Sequence, residues 1–366
     1  MMSQNSTYTR EDALTWISAV MTNHRTCLDG LQEKGYVEAR ILDRNLTVSL
    51  KQALILYSRN KVIAKGPPLQ GTISKGSGIL ESWSEASYKP DFTVAQDGSG
   101  THRTIQAAVN ALAAMGNNRP ARAIIYVKSG VYNEKVNIGQ KLHNVIDMTF
   151  ENSAGPEKHQ AVALKVSSDL SVFYRCSFKG YQDTLYVLSN RQFYRDCQIY
   201  GTIDFIFGDA AAVLQNCDIL VRKPLSHQSN FITAQGRDDP NKNTGIAVQS
   251  CRVRAASEFV SLKNSQKTFL GRPWRKYSRT VFMKSELDGM IEAKGWGEWS
   301  GSFALSTLFY GEYMNTGGGA STENRVTWPG FHVLRSATEA SPFTVRQFVQ
   351  GERWIPATGV PYSSGI

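Results

Sequence analysis

No run of apolar residues in the sequence is long enough to cross a bilayer, which excludes a membrane-spanning helix. The opening MMSQNSTYTRED holds no apolar core of the kind a secretion signal needs, so none is expected in this chain. Cysteine is scarce: five in 366 residues is too few for a disulfide-stapled scaffold, and an odd, sparse set does not fix the redox compartment. The histidines at 24, 102, 143, 159, 227 and 332 offer no pair at zinc-ligand spacing and no C-x-x-C occurs, so no metal site is expected. The absence of G-x-S-x-G leaves a serine nucleophile unsupported. Charged residues make up only 20%, yet 41 Lys+Arg against 31 Asp+Glu gives a net charge of +10. That modest positive bias favours acidic partners, and nucleic acid, anionic lipid and acidic polysaccharide all fit it. Nucleic acid is set aside because no helix-turn-helix, zinc-finger or RNP-type signature accompanies the charge.

Residues 9 to 31 read as an amphipathic helix: Thr9 and Asp12 form a capping signal, and Leu14, Ile17, Met21, Leu28 and Leu31 follow at helical spacing. Leu46, Leu50, Ala53, Leu54 and Tyr57 make a second apolar stripe. From Lys65 the chain turns rich in Gly, Pro and Ser until about Lys89, the composition of a linker. The expected organisation is a helical segment over 1–64, a linker over 65–90 and a main domain over 91–366. In that last part short apolar runs (123–127, 193–194, 211–214) are broken at close intervals by Gly, Asn and Asp, with one helical stretch from Thr104 to Met115. Such a pattern predicts an all-β domain.

The short runs repeat. Cys176, Cys197 and Cys217 lie 21 and 20 residues apart, each followed two positions later by Phe178, Ile199 or Ile219. GYQDTLY (180–186) and GTIDFIF (201–207) share the pattern G-x-x-D-x-[Leu/Ile]-[Tyr/Phe] at the same spacing. A period near 21 fits a parallel β-helix; a leucine-rich repeat would need a Leu and Asn ladder that is missing.

In a solenoid, residues of equal phase in adjacent coils sit one strand spacing apart, about 4.7 to 4.9 Å. Asp183 and Asp204 should then face each other, and two carboxylates that close do not both ionise cheaply. That divides them into an acid and a base or nucleophile. The plain alternative is that each Asp caps a turn beside its Gly. Gln160 precedes Gln182 by 22 residues and should stack one coil below it, giving two neutral amides suited to an oxyanion, or else to satisfying backbone groups. In LGRPW, Arg272 is placed to hold one aspartate ionised and Trp274 to offer a flat platform for a sugar ring, although an Arg in a loop is usually a solvated charge and a Trp is usually core.

These motifs, with TAQGR (233–237), YGEYMNTGGGA, WIPATGVPY, DGSGTHRTIQAAV and GVYNEKV, closely resemble plant pectin methylesterases over nearly all of residues 91–366. The resemblance implies a right-handed parallel β-helix and hydrolysis of galacturonate methyl esters in pectin, without cofactor. It implies that Asp204 is the nucleophile, Asp183 the acid/base, Gln160 and Gln182 the oxyanion donors and Arg272 the residue orienting Asp204. Tyr181, Phe205 and Trp274 would line the sugar cleft. Residues 9–61 resemble the later part of an inhibitor-like pro-region, so a proteinaceous inhibitor is a possible partner. A monomer secreted to the cell wall is what the resemblance implies, with no nucleic-acid or membrane partner.

The sequence departs from the family pattern in places. Between Glu134 and Phe150 the passage KVNIGQKLHNVIDMT is short by about two coils at roughly 20 residues per coil. The pro-region lacks its first half, and the linker has no dibasic processing site of the usual kind. Cys217 and Cys251 are expected to pair across coils. The shortened solenoid keeps a second reading open, a pectin-binding wall protein of little or no activity. A β-helix polygalacturonase or lyase is a third, disfavoured because stacked glutamines suit a carbonyl oxyanion rather than a glycosidic oxygen.

Overall fold

The fold was analysed in a computed structural model, which describes residues 8–35, 39–59, 90–115, 123–137 and 144–366. The linker expected over 65–89 lies outside the described residues. The chain divides into two compact units, residues 77–142 and the remainder.

In the smaller unit Phe92–Val94 and Ile125–Val127 pair in parallel. Beside them Thr104 caps the helix Ile105–Ala114 through the Ala107 N–H. The Glu134 carboxylate accepts from the Ile105 and Gln106 N–H groups at 2.8 and 2.9 Å, which satisfies the other free donors of that first turn.

The larger unit is a stack of coils whose strands form three parallel sheets. An eight-stranded sheet runs from Asn144–Ile146 to Phe331–Val333, a six-stranded one from Thr149–Glu151 to Glu286–Leu287, and a five-stranded one from Leu164–Val166 to Thr268–Gly271. This is a parallel β-helix, and the 21-residue phase of the sequence is its register: Phe178 faces Ile199, Ile199 faces Ile219, and Val253 and Leu287 continue the row. All five are fully buried. Stacked aromatic and β-branched side chains of this kind fill the solenoid axis as one contiguous core.

Coils this tight need sharp corners. The turn leading into the six-stranded sheet passes through one left-handed residue in coil after coil: Asp147, Arg175, Asp196, Asn216, Ser250, Lys284 and Met314, with φ between +47° and +56°. Each corner costs on the order of 1 kcal/mol in a non-glycine residue, which the stacked ladders offset. Four of these corners, at Arg175, Asp196, Asn216 and Ser250, are followed at once by a cysteine whose side chain is buried. Cys176, Cys197, Cys217 and Cys251 are all buried free thiols, so the expected Cys217–Cys251 bond is not made. Their Sγ atoms instead donate to main-chain carbonyls of neighbouring coils, among them Tyr194 and Leu214.

The helices α1 (Arg10–Glu33) and α2 (Ala39–Arg59) form an antiparallel pair with a small core of Leu14, Met21 and Leu54. The capping box of Thr9 and Asp12 starts α1 as its sequence indicates. On α2 the apolar stripe is only partly used: Leu54 is buried, but Leu46 and Tyr57 stay exposed. Helix α1 rests on the solenoid through charge. Arg191 binds Asp12 at 2.7 Å and grips Asp169 with two further N–H groups, and Lys242 joins Asp209 and Asp238 at 2.7 and 2.6 Å. Thr22 of α1 completes that buried cluster, donating to Asp209 at 2.6 Å.

Candidate active site

The strands Leu185–Val187 and Ile206–Gly208 pair with Leu185 opposite Ile206, so the same offset sets Asp183 opposite Asp204. The Asp183 N–H donates to the Ile203 carbonyl at 3.0 Å, which locks this register at the site. Both aspartates adopt the left-handed conformation, with φ of +63° and +52°. The strain at these positions turns each carboxylate away from the core row that follows it. The expectation that one coil carries the first acid onto the second therefore holds.

Arg272, which follows the strand Thr268–Gly271, reaches back and binds Asp204 with two parallel bonds of 2.8 and 2.7 Å. Its guanidinium lies over the Phe231 ring at 4.4 Å and the Trp299 ring at 4.6 Å. Two aromatic rings and a carboxylate leave that side chain one orientation. Neither Phe231 nor Trp299 was found from sequence, where no repeat or motif points to them.

Burial pushes the Asp204 carboxyl up, and the Arg272 guanidinium opposes the rise through its hydrogen bonds and its charge. Asp183 has no such partner. Burial and then the negative charge of Asp204 push it up to about 7, offset in part by Arg272. Since the charge on Asp204 is itself a cause of the rise on Asp183, Asp204 ionises first and Asp183 keeps the shared proton through mildly acidic pH. Two carboxyls with unequal environments thus stand ready as a nucleophile and an acid.

Beside them, the Ala163 and Leu164 N–H groups both bond the Thr184 carbonyl, a bulge that moves the offset of this strand edge from 21 to 22. Ala161 then donates to the Gln182 carbonyl, which aligns Gln160 with Gln182 as the sequence spacing indicates. Gln160 is exposed and Gln182 half-buried. Neither side-chain amide is bonded to another group among the described residues, so both are open to a ligand.

The three expected cleft residues fare differently. Tyr181 is half-buried, with the Arg222 guanidinium 3.9 Å over its ring. Trp274 stands edge-on to Tyr186 and Phe207 at 6.4 and 6.0 Å, but α1 borders it: Thr22, Arg25 and Asp29 line the same small space, and Arg275 binds Asp29 at 2.7 Å. Phe205 is wholly buried and lines no cleft. The left-handed turn at Asp204 sends the next side chain inward, into room that only Gly201 leaves, since a Cβ there would come within 2.2 Å of the Phe205 side chain. The stacked rings of Tyr186 and Phe207, 4.3 Å apart, stand on the Trp274 side of the site instead.

No group of three or more His, Cys, Asp or Glu side chains among the described residues is placed to hold a metal ion. Nor is any described helix long and apolar enough to cross a membrane.

Comparison with known proteins agrees with this architecture. The pectinesterase family profile matches residues 91–147 and 145–352, two segments that meet where the sequence passage is short. A probable pectinesterase/pectinesterase inhibitor of Arabidopsis thaliana is 50% identical over an alignment of 434 positions, covering all of this chain and 84% of the relative. Because 434 exceeds the 366 residues here, the relative carries residues that this chain does not have. Pectinesterase 2 of Citrus sinensis is 46% identical, covering 98% of this chain and 77% of its own length. Among solved structures, pectin methylesterase from carrot superposes with a TM-score of 0.71 at 46% identity, covering 76% of this chain and 98% of the carrot chain. The chain belongs to the pectinesterase family.

Proposed function

We propose that this protein hydrolyses the methyl esters of galacturonate units in pectin, releasing methanol and leaving the acid. The observation that carries the proposal is the division of labour between two register-matched aspartates, Asp204 clamped by Arg272 and Asp183 raised to about 7.

In the proposed reaction an Asp204 carboxylate oxygen attacks the ester carbonyl. The Gln160 and Gln182 amides donate to the carbonyl oxygen as it gains charge, without adding a cation that would hold the product acid. Collapse breaks the bond to the methoxy group, which takes the Asp183 proton and leaves as methanol. The remaining acyl-enzyme is an anhydride on Asp204. Asp183, now ionised, accepts a proton from water as that water attacks the anhydride, and the cycle closes with Asp204 a carboxylate and Asp183 protonated. Arg272 keeps Asp204 ionised at the start and stabilises it as leaving group at the end.

The net charge of +10 supports a polymer that becomes more anionic with each turnover. Helices α1 and α2 fit the role of an inhibitor-like pro-region that restricts access to Trp274, and family membership supports secretion to the wall. The test is to follow methanol and chain length on highly methylated pectin. Methanol without shortening is expected, and Asp204→Asn should reduce it by at least about 10³-fold. Shortening, or full activity in Asp204→Asn, would refute the mechanism.

A further inference from the structure

A second cavity, of about 380 Å³, opens on the same turn of the coil as the two aspartates but further along the solenoid, among residues 263–266, 289–293 and 318–325. Its volume is that of a small-ligand site. The sheet register ties it to the catalytic pair. Phe231 lies in the coil after Asp204, its N–H bonded to the Thr202 carbonyl at 3.0 Å two residues before that aspartate; Phe231 pairs with Phe269, and the bridge between Thr268 and Ile291 brings Glu292 to that row. Glu292 on the wall of the cavity is thus three strands beyond Asp204, about 14 Å at the usual spacing. The Phe231 and Phe269 rings, stacked 5.1 Å apart, fill the row between. A linear polymer laid along the solenoid over Asp204 reaches this cavity within a few units.

What the cavity presents is unusual for a protein of net positive charge. Two cations border it, and both are consumed. Every N–H of Arg325 is spent: on Glu312 at 2.8 and 3.1 Å, and on the carbonyls of Glu292, Ala293 and Gly319. Lys263 places its ammonium 2.7 and 2.9 Å from the two oxygens of Asp288. Glu292, by contrast, makes no ion pair among the described residues. The Gln266 side-chain oxygen is buried with no hydrogen-bond partner. Met290 and Ile291 add an apolar wall. An anionic ligand would meet a carboxylate and no available cation here. An uncharged sugar carrying a methyl group would meet amides, an unused acceptor and an apolar surface.

We propose that this cavity is a distal subsite that accepts a methyl-esterified galacturonate unit and rejects a free one, so that Glu292 makes the enzyme prefer stretches of polymer that remain esterified on that side. The inference rests on the proposed esterase reading. It makes Glu292 a specificity-determining residue, remote from the reacting atoms.

The experiment compares initial methanol release from pectin of high and of low methylation for the wild type, Glu292→Gln and Glu292→Lys. The wild type should favour the highly methylated polymer. Removing one carboxylate beside a partly exposed ligand charge should narrow that preference about two- to fivefold, and reversing the charge should narrow it further, with the change in KM rather than kcat. An unchanged ratio in both variants overturns the proposal. A binding arm separates it from the esterase reading: equilibrium dialysis of methylated and unmethylated oligogalacturonides against the same three proteins. Preference for the methylated ligand that weakens in Glu292→Lys supports the subsite even where no methanol is released, and equal retention by all three overturns it.

Discussion

Replacing Asp183 by Asn tests the electrostatics of the site without any reference to substrate. In the native protein this carboxyl is pushed up to about 7 from an ordinary 3.8, by burial first and by the charge of Asp204 second. The unfolded chain therefore releases the proton near pH 4, whereas the folded chain holds it to about pH 7. A raised carboxyl contributes its full stability below the unfolded value and loses it as pH rises through the folded value. Across that window Asp183 becomes a growing burden on the folded state. The ceiling is 1.36 kcal/mol for each unit of displacement, or about 4 kcal/mol above pH 7. Local relaxation and water entry lower this, so we expect Asp183→Asn to gain ~2 to 4 kcal/mol at about pH 8 and under ~1 kcal/mol at about pH 4.5. Urea unfolding of wild type and variant at both pH values measures it directly. A gain that is the same at both, or a loss that grows with pH, would show that Asp183 is not the raised member of the pair. The same substitution should abolish methanol release, so stability and activity would part in opposite directions.

Arg272→Lys keeps the charge but loses both the two-pronged grip on Asp204 and the stacking on Phe231 and Trp299; we expect kcat to fall about 10- to 100-fold with the fold intact, and activity within about twofold of wild type would deny Arg272 its positioning role. Gly208→Ala attacks the backbone of the catalytic strand, since φ there is +130° and a Cβ would sit 2.0 Å from the Val187 carbonyl oxygen. A loss of more than about 3 kcal/mol, or insoluble protein, is expected, and normal stability would show that the two coils do not approach so closely. Thr22→Arg would drive a bulky cation into the buried cluster of Asp209 and Lys242 and dislodge α1; the methanol rate on polymer should rise as Trp274 is uncovered, and an unchanged rate would separate α1 from access to the cleft.

What could be read in the sequence was whatever the solenoid repeats. The phase of Phe178, Ile199 and Ile219 is the register of one sheet, and the phase of Asp183 and Asp204 is that of another, because stacking converts equal phase into proximity. Gln160 was legible for the same reason, although its offset needs a bulge at Ala163 that no spacing reveals. Phe205, expected in the cleft from the family resemblance alone, is buried because the left-handed turn at Asp204 breaks the strand alternation, and only the backbone shows that turn. The cysteines were misread because stacking gives four thiols equivalent surroundings, and sequence holds no sign of which partners they take. The seat of α1 was invisible. Its bonds to Asp169, Asp209 and Arg191 join residues more than 150 positions apart, and single charged side chains carry no periodic signal.

The passage before Phe150 bears on the site through the order of its neighbours. A solenoid is held together by contacts between adjacent coils, so a shortened passage is felt most by the coil beside it and less by each one after. The strand after Asp183 is flanked on both sides, by Leu164–Val166 and by Ile206–Gly208, and the strand after Asp204 likewise by Leu185–Val187 and Asn230–Gln235. The first described coil is also well founded: Val145, Met148 and Phe150 pack on the common core, and the Phe150 ring stacks on Phe178 at 5.9 Å. Both acids therefore keep their supports. Gln160 does not share this insulation, since it follows a largely exposed loop and lies four residues before Leu164–Val166, the outermost strand of the five-stranded sheet, rather than within it. Of the groups proposed for catalysis it is the oxyanion donor, not the acid pair, that the shortened passage leaves least constrained. Its effect would fall on the rate of acyl transfer rather than on the proton held by Asp183.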